Sequence, residues 1–389
     1  MAMGSLTKFG LLGSAAAAAS LAVIAACGLD PPPKNTAPIA PPPTGCVAEA
    51  GTVPTPNCDN SSNQCTGGGC AIDEAKCGPT STCLPIGDNK GKTTLDFRMR
   101  RLNIATPPTL SQAIIQKSIV TKGIDLKGVC GDDGDGGFNW LLRIDKTAGT
   151  LTTGGAPPSS DPLGTGYCFY NHTVPSGITV APTTAKVTFN AAGDTFDTEP
   201  ADKLNMATFL NGDPSTLIVL PLTKPRFTAT TITEDGNCIG AFNASALDDT
   251  CTEDPSSCPK WKTAGIISGY FTLEDADKVP VDILKASLCI LLTKAPPVPG
   301  PDGYGHCPRD AQGKISLPPS NQGDFCSTTN TPHGCGDSFW FAATFAAAAV
   351  KISNTPLVPE CQSGVSPPPP PPDGGSDAAT DAPADAGGD

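Results

Sequence analysis

The chain has 389 residues, of which 42 are glycine and 42 proline, while only 5% are aromatic and 16% charged. So many turn formers argue for linkers and irregular ends around whatever part folds. With 25 basic against 38 acidic side chains, a net charge of −13 and three histidines, the composition excludes a nucleic-acid binder, and seventeen cysteines exclude a reducing cytosol.

Residues Met1 to Lys8 carry one lysine, and Phe9 to Ala26 form an uncharged apolar stretch that runs into Ala25-Ala26-Cys27-Gly28. A single membrane anchor or a plain cleaved signal is the alternative, but an anchor has no need of small residues directly before a cysteine. The segment resembles a bacterial lipoprotein signal with its lipobox, with Ile24 where that family usually carries Leu. The resemblance implies that residues 1–26 are removed, that Cys27 is acylated, and that the acyl chains hold the protein to a lipid bilayer. Gly28 is not the aspartate that retains such proteins in the inner membrane, so the resemblance further implies export to the outer membrane of a Gram-negative cell.

Seven prolines fall between Pro31 and Gly45. Residues 27–45 therefore read as an extended tether, in which residues 31–45 at about 3.1 Å each span roughly 45 Å. Residues 46–91 read as a small cysteine-rich module. Its cysteines, Cys46, Cys58, Cys65, Cys70, Cys77 and Cys83, sit among almost no large apolar side chains, so crosslinks must supply its order. Ten more follow at Cys130, Cys168, Cys238, Cys251, Cys258, Cys289, Cys307, Cys326, Cys335 and Cys361. Both sets are even, which predicts eight disulfides with none crossing between the sets. No two cysteines have C-x-x-C spacing, which argues against zinc and against a thioredoxin-like motif.

Residues 92–362 read as a mainly β unit: a disulfide-braced antiparallel β-sandwich or barrel-like domain with a few short helices. Leu95, Phe97 and Met99 alternate with polar neighbours before Arg100, and Phe138, Trp140, Leu142 and Ile144 repeat the same period. Further strands are expected at Lys186 to Asn190, Leu217 to Leu222, Arg226 to Ile232, Gly265 to Leu273 and Phe339 to Ala347. The last has a helix-compatible alanine run, but Phe339, Phe341 and Phe345 share one strand face. Two helices are expected. One opens on a capping box of Thr109 and Gln112 and runs to Val120. The other starts at Pro280 and buries Val281, Leu284, Leu288, Leu291 and Leu292. Strict βαβ alternation is missing, which argues against a doubly wound fold. Residues 363–389 follow, with six prolines at Pro367 to Pro372 and then Asp373, Asp377, Asp381, Asp385 and Asp389. Past Pro372 this acidic tail has no apolar side chain larger than alanine except Pro383, and it reads as disordered.

The candidate chemistry is thin. A Ser-His-Asp hydrolase has only His172, His306 and His333 to draw a base from. Ser338, in Gly336-Asp337-Ser338, lacks the glycines and the following histidine that hydrolase motifs require, and reads as a turn entering the last strand. Asp132, Asp133 and Asp135 lie in a glycine-rich loop and form a weak calcium candidate, but neither the fifth nor the twelfth EF-hand position is filled. Phosphate-cradling motifs do not occur. Two of the three tryptophans, Trp140 and Trp340, fall in expected strands, where core packing explains them better than a glycan platform. The reading is a non-enzymatic envelope lipoprotein that binds a protein or glycan partner or serves a structural role, with no cofactor. An extracytoplasmic hydrolase with an unrecognised site is the alternative.

Overall fold

The computed structural model describes residues 83–126, 134–159, 161–162, 164–174, 177–212, 217–242 and 261–353. Cys27, the tether, the cysteines from Cys46 to Cys77 and the acidic tail lie outside these residues.

The fold is mainly β, built on one curled antiparallel sheet. Its strands are β1 (Thr94–Thr106), β2 (Asn139–Asp145), β3 (Thr150–Ala156), β4 (Thr183–Phe189), β5 (Thr195–Thr198), β6 (Lys203–Phe209), β7 (Leu217–Thr228), β8 (Thr230–Thr231), β9 (Gly265–Thr272) and β10 (Ser338–Ala349). Neighbours follow chain order: β1 pairs β2, β2 pairs β3, β3 pairs β4 and β4 pairs β5. The run from β5 to β6 then faces the run from β7 to β8 in one register, with Phe196 opposite Thr230, Lys203 opposite Thr223 and Phe209 opposite Leu217. β7 pairs β9, β9 pairs β10, and β10 returns to β1. Only Ala229 separates β7 from β8, so the sheet meets itself and the architecture is barrel-like rather than a sandwich.

The inner face follows from the period-two pattern. Leu95, Phe97 and Met99 of β1, Trp140, Leu142 and Ile144 of β2, and Phe341 and Phe345 of β10 share one buried cluster with Phe196, Phe227 and Phe271. Within it Phe227 meets Trp140 and Phe345 edge to face, with ring centroids 6.4 and 5.7 Å apart. β1 keeps its apolar side inward beyond Met99 because the ladder to β10 slips between Met99 and Arg101. That bulge adds one residue, so Leu102 continues the inner face while Arg98 and Arg100 lie on the other. Both arginines are nonetheless buried. Arg98 donates to Asn139 Oδ1 at 2.6 Å and to the Ile124 carbonyl at 2.5 Å, and the guanidinium of Arg100 lies 5.3 Å from the Trp261 ring centroid.

β10 is a strand despite its alanines, because both of its edges are paired and its phenylalanines alternate inward. Its small side chains also leave room for large neighbours. Gly265 sits opposite Phe345, and a Cβ there would come within 2.4 Å of the phenyl ring. On the outer face, Trp340 and Ala342 pack with Tyr270 and Phe325 under the hairpin formed by Phe325–Cys326 and Thr331–Pro332.

Three expectations are corrected. The first helix begins at Ala113 with Gln112 as its N-cap and no side-chain cap, because Thr109 Oγ1 is taken by the Leu292 carbonyl; it continues through a π-turn at Gln116–Thr121 to Ile124. The second is α-helical only at Leu288–Thr293, with a single 3-10 turn at Asp282–Leu284. Its leucine spacing is carried by a small hairpin instead: Pro280–Val281 pairs with Ala286–Ser287 around a turn closed by Lys285 at φ 50°, which leaves Leu284 exposed. Third, a disulfide joins Cys83 to Cys238 and so crosses the two cysteine sets. Residues around it pack on the sheet: the Ile86 and Gly87 amides donate to the Ala349 carbonyl, and Asn89 exchanges hydrogen bonds with Asn237, Gly236 and Asp96. The bridges Cys289–Cys307 and Cys326–Cys335 stay within the second set, and Cys168 is disulfide-bonded as well. Cys130, Cys251, Cys258 and Cys361 lie outside the described residues.

Candidate functional site

The densest polar cluster lies where β9 ends. Thr272 caps the short helix Leu273–Ala276 by accepting from the Asp275 amide, and the chain delivers Asp277 into the core just beyond it. A four-stranded patch, Pro280–Val281, Ala286–Ser287, Gly305–His306 and Val298–Pro299, closes over that carboxylate with the helix Leu288–Thr293. The Cys289–Cys307 bridge pins helix to patch.

Asp277 has a side chain only 2% exposed and is fully engaged. Its Oδ1 accepts from Ser287 Oγ at 2.7 Å and from the Cys307 amide at 2.8 Å. Its Oδ2 accepts from Arg309 Nη2 at 2.8 Å and lies 3.3 Å from His306 Nδ1. Arg309 also holds Glu274 Oε2 at 2.8 Å, and His306 Nε2 lies 3.0 Å from Asp302 Oδ1. Burial works against the protonated imidazole, but the hydrogen bond with Asp302 and the charges of Asp277 and Asp302 outweigh it and hold the His306 pKa above its ordinary value. Tyr304 donates its hydroxyl to Asp282 on the adjoining turn, and that bond is the main reason the Asp282 carboxyl lies below its usual range.

Ser287, Asp277 and His306 bring hydrolase residue types together, but in the wrong order. The serine hydroxyl donates to the aspartate and is fully buried, so the imidazole does not receive its proton. The arrangement clasps the small patch to the end of the sheet.

A second cluster surrounds the other end of the hairpin over Trp340. Asp337 accepts from the Ser327 amide and hydroxyl at 2.8 and 2.6 Å and from Ser338 Oγ at 3.0 Å. Ser338 is buried and begins β10, in keeping with a turn entering the last strand. Asp324 Oδ1 accepts the Trp340 amide at 2.9 Å; burial pushes its carboxyl above the ordinary range and this bond only partly offsets it. The His333 amide donates to the Asp324 carbonyl, and His172 lies in a separate hairpin with its ring 5.8 Å from that of Tyr170. The three histidines therefore do not converge.

Of the acidic loop, Asp132 and Asp133 lie outside the described residues, and Asp135 Oδ1 accepts from the Gly137 amide within its own turn. Two groups have metal-ligand geometry among the described residues: Asp277 with Cys289 and Cys307, and Asp337 with Cys326 and Cys335. In both the sulfurs are joined as disulfides and have no thiolate to offer. All three tryptophans are buried; Trp140 Nε1 donates to Thr153 Oγ1 at 2.8 Å. Sequence reasoning passed over Asp277, Glu274, Arg309 and Asp324. The one local signal was Asp302 four residues before His306.

Comparison with family models, curated proteins and solved structures finds no match for this chain. Among the described residues no helix is long and apolar enough to cross a membrane.

Proposed function

We propose that the chain is a lipidated envelope protein, held at Cys27, whose β domain binds a protein or glycan partner or serves a structural role without catalysing a reaction. The observation that carries the non-catalytic part is how the polar side chains are used. Each of the two clusters ties a covering segment to the sheet, and neither joins a nucleophile to a base. The inner face is filled by Phe97, Trp140, Phe227, Phe271 and Phe345, which supports recognition on the outside of the barrel rather than within it.

The membrane part rests on the lipobox-like leader and on disulfides that need an oxidising compartment. The sheet is compatible with it. Residues 83–87 enter beside Ala349, and Val350 leaves donating to the Asp96 carbonyl, so the chain enters and leaves the barrel at one end. An anchor leading into Cys83 would keep the opposite end, with exposed Ile283, Leu284 and Val298, turned outward.

Mass spectrometry of the membrane-extracted protein tests the anchor: it should show an acylated amino-terminal Cys27, and Cys27→Ala should move the protein out of the membrane fraction. An intact leader, or cleavage at another position, would refute it. Turnover of an esterase, peptidase or glycosidase substrate that persists through purification would instead favour the hydrolase reading.

A further inference from the structure

The three disulfides whose partners are both described differ sharply in exposure. Cys83, Cys238, Cys289 and Cys307 are each at most 1% exposed. In the third bridge Cys326 is buried at 3%, while Cys335 is exposed. Its surroundings keep it so. Cys335 lies between Gly334 and Gly336, and neither flank carries a side chain to cover the sulfur. The first glycine is required by the bridge itself, because a Cβ on Gly334 would sit 2.5 Å from Cys326 Cβ; the second has φ +67°.

Thiol–disulfide exchange needs access to one sulfur along the S–S axis and a partner sulfur able to leave with the electron pair. Attack at the exposed Cys335 makes Cys326 the leaving group. Thr328 Oγ1 stands 3.2 Å from Cys326 Sγ and 4.0 Å from Cys335 Sγ, placed to donate to the sulfur that takes up negative charge. The nearby carboxylate of Asp337 opposes that charge, but the Ser327 amide and the hydroxyls of Ser327 and Ser338 already donate to its oxygens.

We propose that the Cys326–Cys335 bridge is a thiol-exchange site, in which a low-molecular-weight thiolate attacks Cys335 Sγ and displaces Cys326 Sγ. The S–S bond between the two cysteines breaks as a mixed disulfide forms on Cys335, and Cys326 leaves as the thiolate and takes a proton from water. The reverse attack by Cys326 restores the bridge and releases the small thiol, with no further oxidant. The bridge ties down the hairpin that covers Trp340, whose ring centroid lies 5.1 Å from that of Phe325. Opening it therefore loosens the cover on one face of β10 while Cys83–Cys238 and Cys289–Cys307 stay closed.

The full mature chain, folded and without denaturant, should be exposed to graded reduced glutathione, quenched with acid, alkylated and mapped by peptide mass spectrometry. The expected first product among these six cysteines carries one glutathionyl group on Cys335 and one alkyl group on Cys326. It should form roughly tenfold or more faster than any opening of the two buried bridges, as access to the attacked sulfur dictates. Tryptophan fluorescence should shift with the same time course. The paired variant Cys326→Ser, Cys335→Ser should retain the fold by circular dichroism and lose this fast phase. Opening of a buried bridge at the same rate, attachment of glutathione to Cys326 in place of Cys335, or a bridge that stays closed until the domain unfolds would each overturn the proposal.

Discussion

Replacing Asp277 by Asn gives the sharpest test of the clasp at the end of β9. The substitution keeps shape and keeps one carbonyl oxygen for Ser287 Oγ and the Cys307 amide, which donate to Oδ1 in the native protein. It puts an NH₂ group where Oδ2 faces Arg309 and His306, so donors meet donors and the arginine loses its buried counter-charge. Removing one partner of a buried ion pair costs about 3 to 5 kcal/mol when the other is left dry. Arg309 is 36% exposed and keeps Glu274, which lowers the expected loss to about 2 to 3 kcal/mol. For a domain this large that corresponds to a fall of about 5 to 10 °C in Tm. Urea unfolding of the full chain, with the disulfides intact, gives the free energy directly. Asp302→Asn serves as the comparison, because Asp302 is half exposed, its pairing with His306 is screened by solvent, and its loss should be clearly the smaller of the two. An Asp277→Asn loss no larger than that of Asp302→Asn would show that the cluster does not hold the patch.

Three further outcomes are expected. The His306 pKa is raised in the fold, so its contribution is complete below the unfolded value of about 6.5 and disappears as pH rises through the folded value; His306→Gln should therefore destabilise at about pH 5.5 and much less at about pH 8.5. A loss that does not change with pH in urea titrations would contradict this. The Asp324 carboxyl is raised by burial, so its ionisation costs stability above the unfolded carboxylate range. Asp324→Asn, which keeps an acceptor for the Trp340 amide, should be the more stable protein at neutral pH, with the advantage vanishing in acid; greater stability of the native protein at pH 7 would refute the assignment. Gly265→Ala drives a methyl group into the Phe345 ring and should cost about 1 to 3 kcal/mol. Adding Phe345→Leu should recover part of that loss in a double-mutant cycle, and strict additivity of the two would count against the contact.

The strands with large alternating side chains were legible from the sequence. Trp140, Leu142 and Ile144 could occupy one face only as a strand, and the phenylalanine spacing in β10 outweighed its alanine run. β3 was not legible, since Thr-Leu-Thr-Thr-Gly-Gly-Ala carries one large apolar residue; its burial comes from neighbours, with Ala207 close against Gly155. The apolar residues from Val281 to Leu292 imitate a helical period, while a hairpin and a short helix bring Val281, Leu288 and Leu292 to the core and leave Leu284 exposed. Asp277 gave no local sign, because its arginine partner is 32 residues further along the chain. Cysteine parity failed for the same reason. It counts sulfurs, whereas Cys83 and Cys238 are joined across 155 residues by the packing of residues 83–91 on the sheet.

The direction of β10 relates the proposed anchor to the proposed exchange site. Its last residue, Ala349, receives the Ile86 and Gly87 amides three and four residues after Cys83, whereas its first, Ser338, pairs with Phe325 in the hairpin locked by Cys326–Cys335. A strand rises about 3.3 Å per residue, so the twelve residues of β10 place these ends roughly 36 Å apart. β9 runs beside it with Thr272 opposite Ser338, which brings the Asp277 clasp to that same far end. The buried Cys83–Cys238 bridge thus fixes the chain where it enters the sheet, and a lipid at Cys27 would pull on that bridge. The exposed bridge lies away from it, where the proposed exchange would loosen one hairpin while Cys83–Cys238 stays closed.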